Sequence, residues 1–406
     1  MAKTIMLYGA TGYSGGLIAG EANRLQRANA IGFRMVLAAR NRLALSAMAK
    51  AHGMEARAFA LNDRDRVVRE LEGIDVVLNA AGPFAATAPR LATAALEKRC
   101  HYVDLNGEID VYQSLDDLAP HAYDRNVCMV CSAGFTAAAS GLLLEEALRA
   151  VKTRYPSVAK LGAIRFSMSS PRAFSRGSVN TMWRSLREQV TVVRDIGGGS
   201  HKAVLWHSPV AKLERSADFT PPGRKAATVE HETSPLKNPH RRIVMAANLV
   251  DTLTARLTAS RNGMPVRDIE SYVEVGDATR LGYPLANLGT PALTSPIVRK
   301  LAALAIDTLP EGPSRQERER ERQMLLLTIE DPMQRPLIDW CLSTPNAYDF
   351  SARVALEIAQ KAVVGSPQRG WKTPGEILRD ANATLKKEQA DGPLRGCQFV
   401  DRLPPA

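Results

Sequence analysis

The sequence predicts an α/β protein whose first third is a parallel sheet with crossover helices. Three observations predict it. Lys3-Thr-Ile-Met-Leu-Tyr-Gly9-Ala-Thr-Gly12-Tyr-Ser-Gly15-Gly16 is an apolar strand running into a glycine turn and a helix. Short apolar runs then alternate with helix-length stretches over residues 1–150. The chain of 406 residues is long enough for two or three domains, each with its own core.

Thr4–Tyr8 is the first strand, and its helix extends to about Ala28. Met35–Ala39 is the second strand, followed by a helix from Arg42 to Ala51. Ala56–Ala60 is a weaker third strand. Asn62 is placed to cap Asp63–Leu71, whose first turn is acidic. Asp75–Asn79 is a continuous apolar run, the mark of a strand buried on both faces. Pro89–Lys98 is a helix, His101–Asp104 a fifth strand and Val127–Cys131 a sixth. Further on, Leu161–Ser169 is a strand and Ser178 caps a helix to about Arg194. Gly197-Gly-Gly199 breaks the chain, and residues 200–245 hold short β-like pieces. Ala246–Ala259 is helical, Ile269–Val275 a strand and Ala292–Thr308 an apolar helix, a candidate for core or a homodimer face. Arg315–Arg322 alternates in sign like a solvated face and precedes strand Met324–Ile329. Phe350–Val364 is an amphipathic helix stopped by Gly365, and Thr373-Pro-Gly starts a last helix to about Gln389.

The glycine turn has a chemistry. Glycines at 9, 12 and 15 follow the Gly-x-x-Gly-x-x-Gly variant of the dinucleotide fingerprint. Gly9 turns sharply off the strand, Gly12 leaves room for a pyrophosphate, and Gly15 lets the helix approach the sheet. The first free N–H groups of the helix, near Thr11, Tyr13 and Ser14, then hold the anion. The end of strand two chooses between NAD and NADP. It runs Ala38-Ala39-Arg40-Asn41, with no carboxylate for ribose hydroxyls and an Arg suited to a 2′-phosphate. NADP, as NADPH, is therefore the expected cofactor. Ala80, Gly82, Pro83 and Phe84 leave the carboxyl end of strand four, where an open α/β sheet binds its ligand.

Composition narrows the partners. With 45% hydrophobic and 23% charged residues the chain is an ordinary globular protein. Its net charge of +11 suits an acidic or phosphate-bearing ligand, but no compact basic block interleaved with aromatics points to nucleic acid. Five scattered cysteines indicate a reducing, cytoplasmic setting and no zinc site. No uncharged apolar run reaches transmembrane length. No metal is expected.

The order Gly9-Ala-Thr-Gly-Tyr-Ser-Gly15, Asn79-Ala-Ala-Gly-Pro-Phe84, His101-Tyr-Val-Asp-Leu-Asn-Gly-Glu108, Cys131-Ser-Ala-Gly-Phe135 and Gly370-Trp-Lys-Thr-Pro-Gly-Glu-Ile-Leu378 resembles the saccharopine dehydrogenase-like oxidoreductases. The branch it most resembles holds the trans-acting enoyl reductases of bacteria and the saccharopine dehydrogenase-like oxidoreductase of animals. The likeness extends to Phe174–Asn180, Leu309–Pro313 and Asn346–Phe350. It implies a Rossmann domain over 1–150 and a second α/β domain on a mixed sheet over 151–345. It further implies that helices in 346–406 return to the first domain. It also implies NAD(P)-dependent oxidoreduction of an imine or an acyl chain. Two other families with similar turns fit poorly. None of the nine tyrosines begins a Tyr-x-x-x-Lys pair, and no cysteine sits in a nucleophile context.

Hydride transfer needs a group that protonates or stabilises the charge that develops. Asp104 and Glu108, at the end of strand five and in its loop, are candidates, with Tyr102 a third donor. Arg172 and Arg176, beyond the first domain, are candidates to hold a substrate carboxylate or phosphate. The expected activity is an NADPH-dependent reductase of a C=C or C=N bond in a small or acyl substrate. Two alternatives stand beside it: a redox-silent NADP-binding sensor or scaffold, and an accessory protein of lipid surfaces.

Overall fold

The computed structural model describes residues 3–30, 32–185, 190–194, 204–208, 214–221, 240–276, 295–363, 369–379 and 394–403. The glycine break at 197–199, much of 200–245, the start of the 292–308 helix, Gly365 and the end of the last helix lie outside them. The chain divides into two units. One comprises Met1–Ala138, Ala347–Ala381 and Asp391–Leu394, and the other Ala139–Asn346, Asn382–Ala390 and Arg395–Ala406.

The first unit is built on β1 (Lys3–Tyr8), whose side chains from Ile5 to Leu7 are fully buried. Apolar residues on both faces make it a central strand, with parallel neighbours on each side. Helix α1 (Tyr13–Arg27) buries Gly15, Ile18, Ala19 and Ala22, a stripe of small residues that lets it lie close to the sheet. The chain continues through β2 (Phe33–Ala39), α2 (Arg42–His52), β3 (Glu55–Ala58) and α3 (Arg64–Glu70). Asp63, not Asn62, caps α3, accepting from the Arg66 N–H at 3.0 Å. The cap falls where the side chain reaches the third helical amide, and Asn62 is one residue too early.

Next come β4 (Val76–Asn79), α4 (Phe84–Glu97), β5 (His101–Asp104), α5 (Ile109–Asp116), α6 (Ala119–Asp124) and β6 (Cys128–Val130). Helix α4 starts five residues before Pro89, which sits inside it. Phe84-Ala-Ala-Thr-Ala88 is a helix-compatible run. Pro89 forfeits one bond, to the carbonyl of the exposed Ala85. The strand order is Gly370–Lys372, β6, β5, β4, β1, β2, β3, all parallel. The chain leaves β1 in one direction and returns to β4 on the other side. The crevice between those two strand ends is the topological switch point where such sheets bind ligands.

The second unit begins within α7 (Phe135–Arg154) and continues with β7 (Leu161–Met168) and α8 (Arg176–Ser185). The single helix expected to Arg194 ends at Ser185, and Val190–Arg194 is a strand, β8. Val190-Thr-Val-Val-Arg is β-branched and buries Val190 and Val192 in the sheet's core, which overrides its helical register. Ser175, rather than Ser178, serves the start of α8, its hydroxyl accepting from the Ser178 N–H at 3.2 Å.

Strands β9 (Val204–Ser208), β10 (Glu214–Asp218) and β11 (Arg241–Ala246) precede α9 (Asp251–Arg261) and β12 (Val266–Glu274). The helix expected from Ala246 thus begins five residues later. After α10 (Pro296–Asp307) and α11 (Arg315–Arg320), β13 (Arg322–Glu330) pairs antiparallel with β14 (Pro336–Pro345). The chain ends with α12 (Ala347–Val363), β15 (Gly370–Lys372), α13 (Pro374–Ile377) and β16 (Gln398–Asp401).

The second sheet is mixed and runs β10, β11, β12, β7, β13, β14, β16, with β8 paired to β12 and β9 to β8. Its strands pack Val190, Val192, Phe219, Val244, Tyr272 and Leu326 into one core. At one end Arg165 bridges Glu270 at 2.8 Å and Glu330 at 2.6 Å, while Arg194 also pairs with Glu270. Glu270 is nearly inaccessible, and its ionised form is kept by these partners and by the Tyr272 hydroxyl at 2.7 Å. The fold is therefore α/β, with a parallel and a mixed sheet.

Candidate cofactor site

The glycine turn closes on itself at the end of β1. The Gly9 N–H donates to the Ala38 carbonyl at 2.8 Å, and the Gly12 N–H to the Gly9 carbonyl at 3.0 Å. Gly9 has φ +89°, in the left-handed region, and a Cβ there would lie 2.7 Å from the Ala81 nitrogen. A Cβ on Gly15 would overlap the Gly9 carbonyl oxygen, its carbon lying 2.8 Å away. Two of the three glycines are thus required by the protein's own packing. Gly12 is not. Its φ of −82° is open to any residue, and a Cβ would meet only the Gly9 oxygen, at 3.4 Å. The space over Gly12 is left for something other than the protein. Gly12 is also the N-cap of α1, with no side-chain cap and no acidic residue in the first turn. The first amides of α1 and its positive dipole end are thereby suited to a pyrophosphate. Thr11, Tyr13 and Ser14 flank this opening half-buried, and the Tyr13 ring packs edge-on to Tyr348 of α12 at 5.2 Å.

Arg40 follows β2, exposed and without a hydrogen bond or ion pair to any described residue. It lies near enough to Tyr8 to oppose the rise that burial imposes on the phenol's pKa. Asn41 does a structural job, its side chain accepting from the Ala44 N–H at 3.1 Å to cap α2.

The loop after β4 is built from inside. Buried Asn79 accepts from the Ala81 N–H at 3.0 Å and donates toward Thr87 and the Tyr102 hydroxyl, each at 3.3 Å. Thr87 in turn donates to the Ala81 carbonyl at 2.6 Å. The Gly82–Pro83 peptide is cis, and Ala80, Ala81 and Phe84 remain partly exposed along the loop. A flat ring can lie against such small residues.

Tyr102 and Asp104 are both at 0% exposure. The Tyr102 hydroxyl donates to Asp104 Oδ2 at 2.9 Å, while Oδ1 accepts from the amides of Asn106 at 3.0 Å and Ser132 at 2.8 Å. Burial pushes the Asp104 carboxyl up to about 6 and the Tyr102 phenol well above its ordinary value. Sequence alone suggests two proton donors here. The structure buries both in an internal network that ties the end of β5 to the end of β6. Glu108 differs. It is half-buried at the start of α5, and its side chain does not cap that helix.

Residues 5–154 match the family model described as the saccharopine dehydrogenase NADP binding domain. The N-terminal segment is therefore similar to a saccharopine dehydrogenase NADP-binding domain. Among solved structures, saccharopine dehydrogenase (L-Glu forming) from Saccharomyces cerevisiae superposes with a TM-score of 0.55 at 14% identity. That match covers 98% of this chain and 100% of the other. Homospermidine synthase from Legionella pneumophila, solved with NAD, gives 0.59 at 9% identity, over 99% and 92%. At these identities the likeness speaks for the fold. A comparison with curated protein sequences finds no match. The match to a nicotinamide-dinucleotide-binding model is thus confined to residues 5–154, and over the whole chain the likeness to these enzymes is one of fold.

The two candidate substrate arginines belong to the second unit. Arg176 grips the Leu309 carbonyl through Nε at 3.1 Å and Nη2 at 2.6 Å, which is a structural duty. Arg172 is exposed, and its backbone N–H is held by Glu321. Three residues escaped sequence reasoning. Asn79 looked like the last residue of a strand and is the hub of the loop. Ser132 has φ +73° and a buried hydroxyl without a partner, a backbone state no sequence pattern announces for serine. Tyr348 reaches the glycine turn from a helix far along the chain, and only tertiary structure joins the two.

Proposed function

We propose that the protein transfers a hydride between NADP and a C=C or C=N bond of a small-molecule or acyl substrate. The observation that carries the reading is an open Gly12 beside an uncapped helix, together with a solvent-facing Arg40 where NAD-preferring sites place an acid. The amides following Gly12 hold the pyrophosphate, Arg40 takes the 2′-phosphate, and the Ala80–Phe84 loop supports the nicotinamide. When bound, NADPH supplies the hydride. Glu108 is the residue assigned to move a proton to or from the substrate, and Tyr102 and Asp104 hold the loops that shape the site. Arg172 is the candidate for a substrate anion. The neighbour named as a dehydrogenase agrees with this reaction class.

Titration with NADPH and NADH tests the cofactor. Arg40→Glu weakens NADPH binding at least about ten-fold and NADH little, because it removes charge-assisted bonds to one phosphate. Equal weakening of both would remove the NADP assignment. The sealed Tyr102–Asp104 pair favours one second reading, cofactor binding without turnover. A substrate screen following NADPH absorbance separates the two. Glu108→Gln then lowers turnover while leaving NADPH affinity in place if Glu108 carries the proton.

A further inference from the structure

The hydrogen bonds behind the glycine turn run in one direction. Asn79, Tyr102 and Asp104 are all fully buried, so their donors and acceptors must be matched. The Ala81 amide can only donate, so the Asn79 atom facing it at 3.0 Å is the oxygen. That turns the Asn79 NH2 group toward Thr87 and Tyr102, each 3.3 Å away. Both hydroxyls must accept from it, because both hydrogens are committed elsewhere. Thr87 gives its hydrogen to the Ala81 carbonyl at 2.6 Å, and Tyr102 gives its own to Asp104 Oδ2 at 2.9 Å. The other Asp104 oxygen is filled by the Asn106 and Ser132 amides. Starting from the carboxylate, each group can therefore face only one way. A side-chain amide meets the demands at position 79, with two N–H groups on one side and an acceptor on the other.

The far end of this chain is backbone of the cofactor site. The Ala81 peptide held by Asn79 and Thr87 lies against the glycine turn. A Cβ on Gly9 would stand 2.7 Å from the Ala81 nitrogen and 2.9 Å from the Ala80 carbonyl carbon. The Ala80 N–H also donates to the Tyr8 carbonyl at 2.8 Å. The turn after β1 and the loop after β4 thus share a close backbone contact, and a shift of Ala81 moves one against the other. Fully satisfied buried networks hold such geometry rigidly, and half-satisfied ones do not.

On the reading of Gly9–Gly15 and Ala80–Phe84 as the cofactor site, we propose that Asn79 is a positioning residue for NADPH and that Asp104, through Tyr102, sets the direction in which its amide faces. Asp104 acts on the loop by way of Tyr102 and Asn79 rather than on the cofactor itself.

NADPH titration of the full chain tests this, with the melting temperature of every variant measured beside it. It is run at about pH 8, above the Asp104 carboxyl's value of about 6. Asn79→Asp keeps the shape, removes the N–H groups and weakens NADPH at least about ten-fold. Asp104→Asn turns an N–H toward the Tyr102 oxygen. The phenol must then donate toward Asn79, which offers it only N–H, and affinity falls about ten-fold although a negative charge has gone. The double variant restores a consistent chain in reverse. Its amide at 104 donates to Tyr102, and Tyr102 donates to the carboxylate at 79, which still accepts from Ala81. Its affinity is therefore at least about ten-fold better than the two single losses multiplied together. Thr87→Val covers the case in which the buried changes unfold the protein, since Thr87 is half-buried at the start of α4. It weakens NADPH about five-fold, and Thr87→Ser, which keeps the hydroxyl, restores binding to within about two-fold of wild type. Tighter binding by Asp104→Asn would make the effect one of charge alone and overturn the proposal. So would losses that simply multiply in the double variant, or equal affinities for Thr87→Val and Thr87→Ser. A wild-type chain that binds no NADPH overturns the cofactor reading itself, and this proposal with it.

Discussion

Gly12 and Gly15 sit three residues apart in one turn, and replacing each should give opposite phenotypes. At Gly15 a Cβ would overlap the Gly9 carbonyl oxygen and lie 2.9 Å from the Ala10 Cα, all of it backbone. Nothing there can rotate away, so Gly15→Ala forces α1 off the turn. Overpacking of this kind costs about 3 kcal/mol or more, the upper range for a rigid surround. At Gly12 the only neighbour is one oxygen at 3.4 Å, and φ −82° with ψ 168° is ordinary extended backbone. Gly12→Val therefore lowers stability by only about 1 kcal/mol, the cost of a poorer N-cap residue without a backbone clash. It fills the space that a pyrophosphate needs. Losing two charge-assisted amide contacts at roughly 1.5 kcal/mol each is a loss of about 3 kcal/mol, or more than ~100-fold in dissociation constant. Urea unfolding reports the stability of both variants, and fluorescence titration reports NADPH binding by the folded ones. Wild-type affinity in Gly12→Val would refute the assignment of the opening to the cofactor. Destabilisation of Gly12→Val as large as that of Gly15→Ala would refute the division of labour between the glycines.

Two further predictions concern the second unit. Asp251 is fully buried, with Oδ1 accepting from the Ser271 hydroxyl at 2.7 Å and Oδ2 without a partner, and burial pushes its carboxyl from 3.8 up to about 6. The folded state holds this proton more tightly than the unfolded chain does. Its contribution is full below about pH 4 and lost as pH rises through about 6, approaching 3 kcal/mol by linkage. Asp251→Asn should flatten that fall, so urea unfolding at about pH 4 and about pH 7.5 should differ less than in wild type. Gly162, in β7, would place a Cβ 2.6 Å from the Asp331 carbonyl carbon. Gly162→Ala should lower the melting temperature by several degrees, about 2 kcal/mol of overpacking, with NADPH affinity unchanged.

The first sheet was legible because its signals are local. Leu7 and Leu78 lie in apolar runs bounded by turn residues, and the glycine turn states its own context. Its parallel character followed from the alternation of strand and helix alone. The second sheet carries weaker local signals. Pro336-Leu-Ile-Asp-Trp-Cys-Leu-Ser-Thr-Pro345 is bracketed by prolines and interrupted by Asp339, yet it is β14 because β13 and β16 pair with it on either side. Val190–Arg194 is a strand because Val190 and Val192 have a core to enter. In both cases pairing supplied by distant sequence decided the state, and a window of a dozen residues contains none of it.

The site divides along the same line. Residue type and position found the phosphate turn, since Gly9, Gly12 and Gly15 act through backbone alone. Position at a strand end could not separate Asp104 from Glu108, because both stand where a proton donor belongs. What separates them is burial. Asp104 accepts from two amides and one phenol inside the protein, and Ser132, in strained backbone, delivers one of those amides. A fully buried carboxylate engaged on these sides fixes the geometry of two loops. The same burial lifts its pKa to about 6. A step near pH 6 in the rate profile would then report loop geometry, and Glu108→Gln would leave that step in place while lowering the plateau.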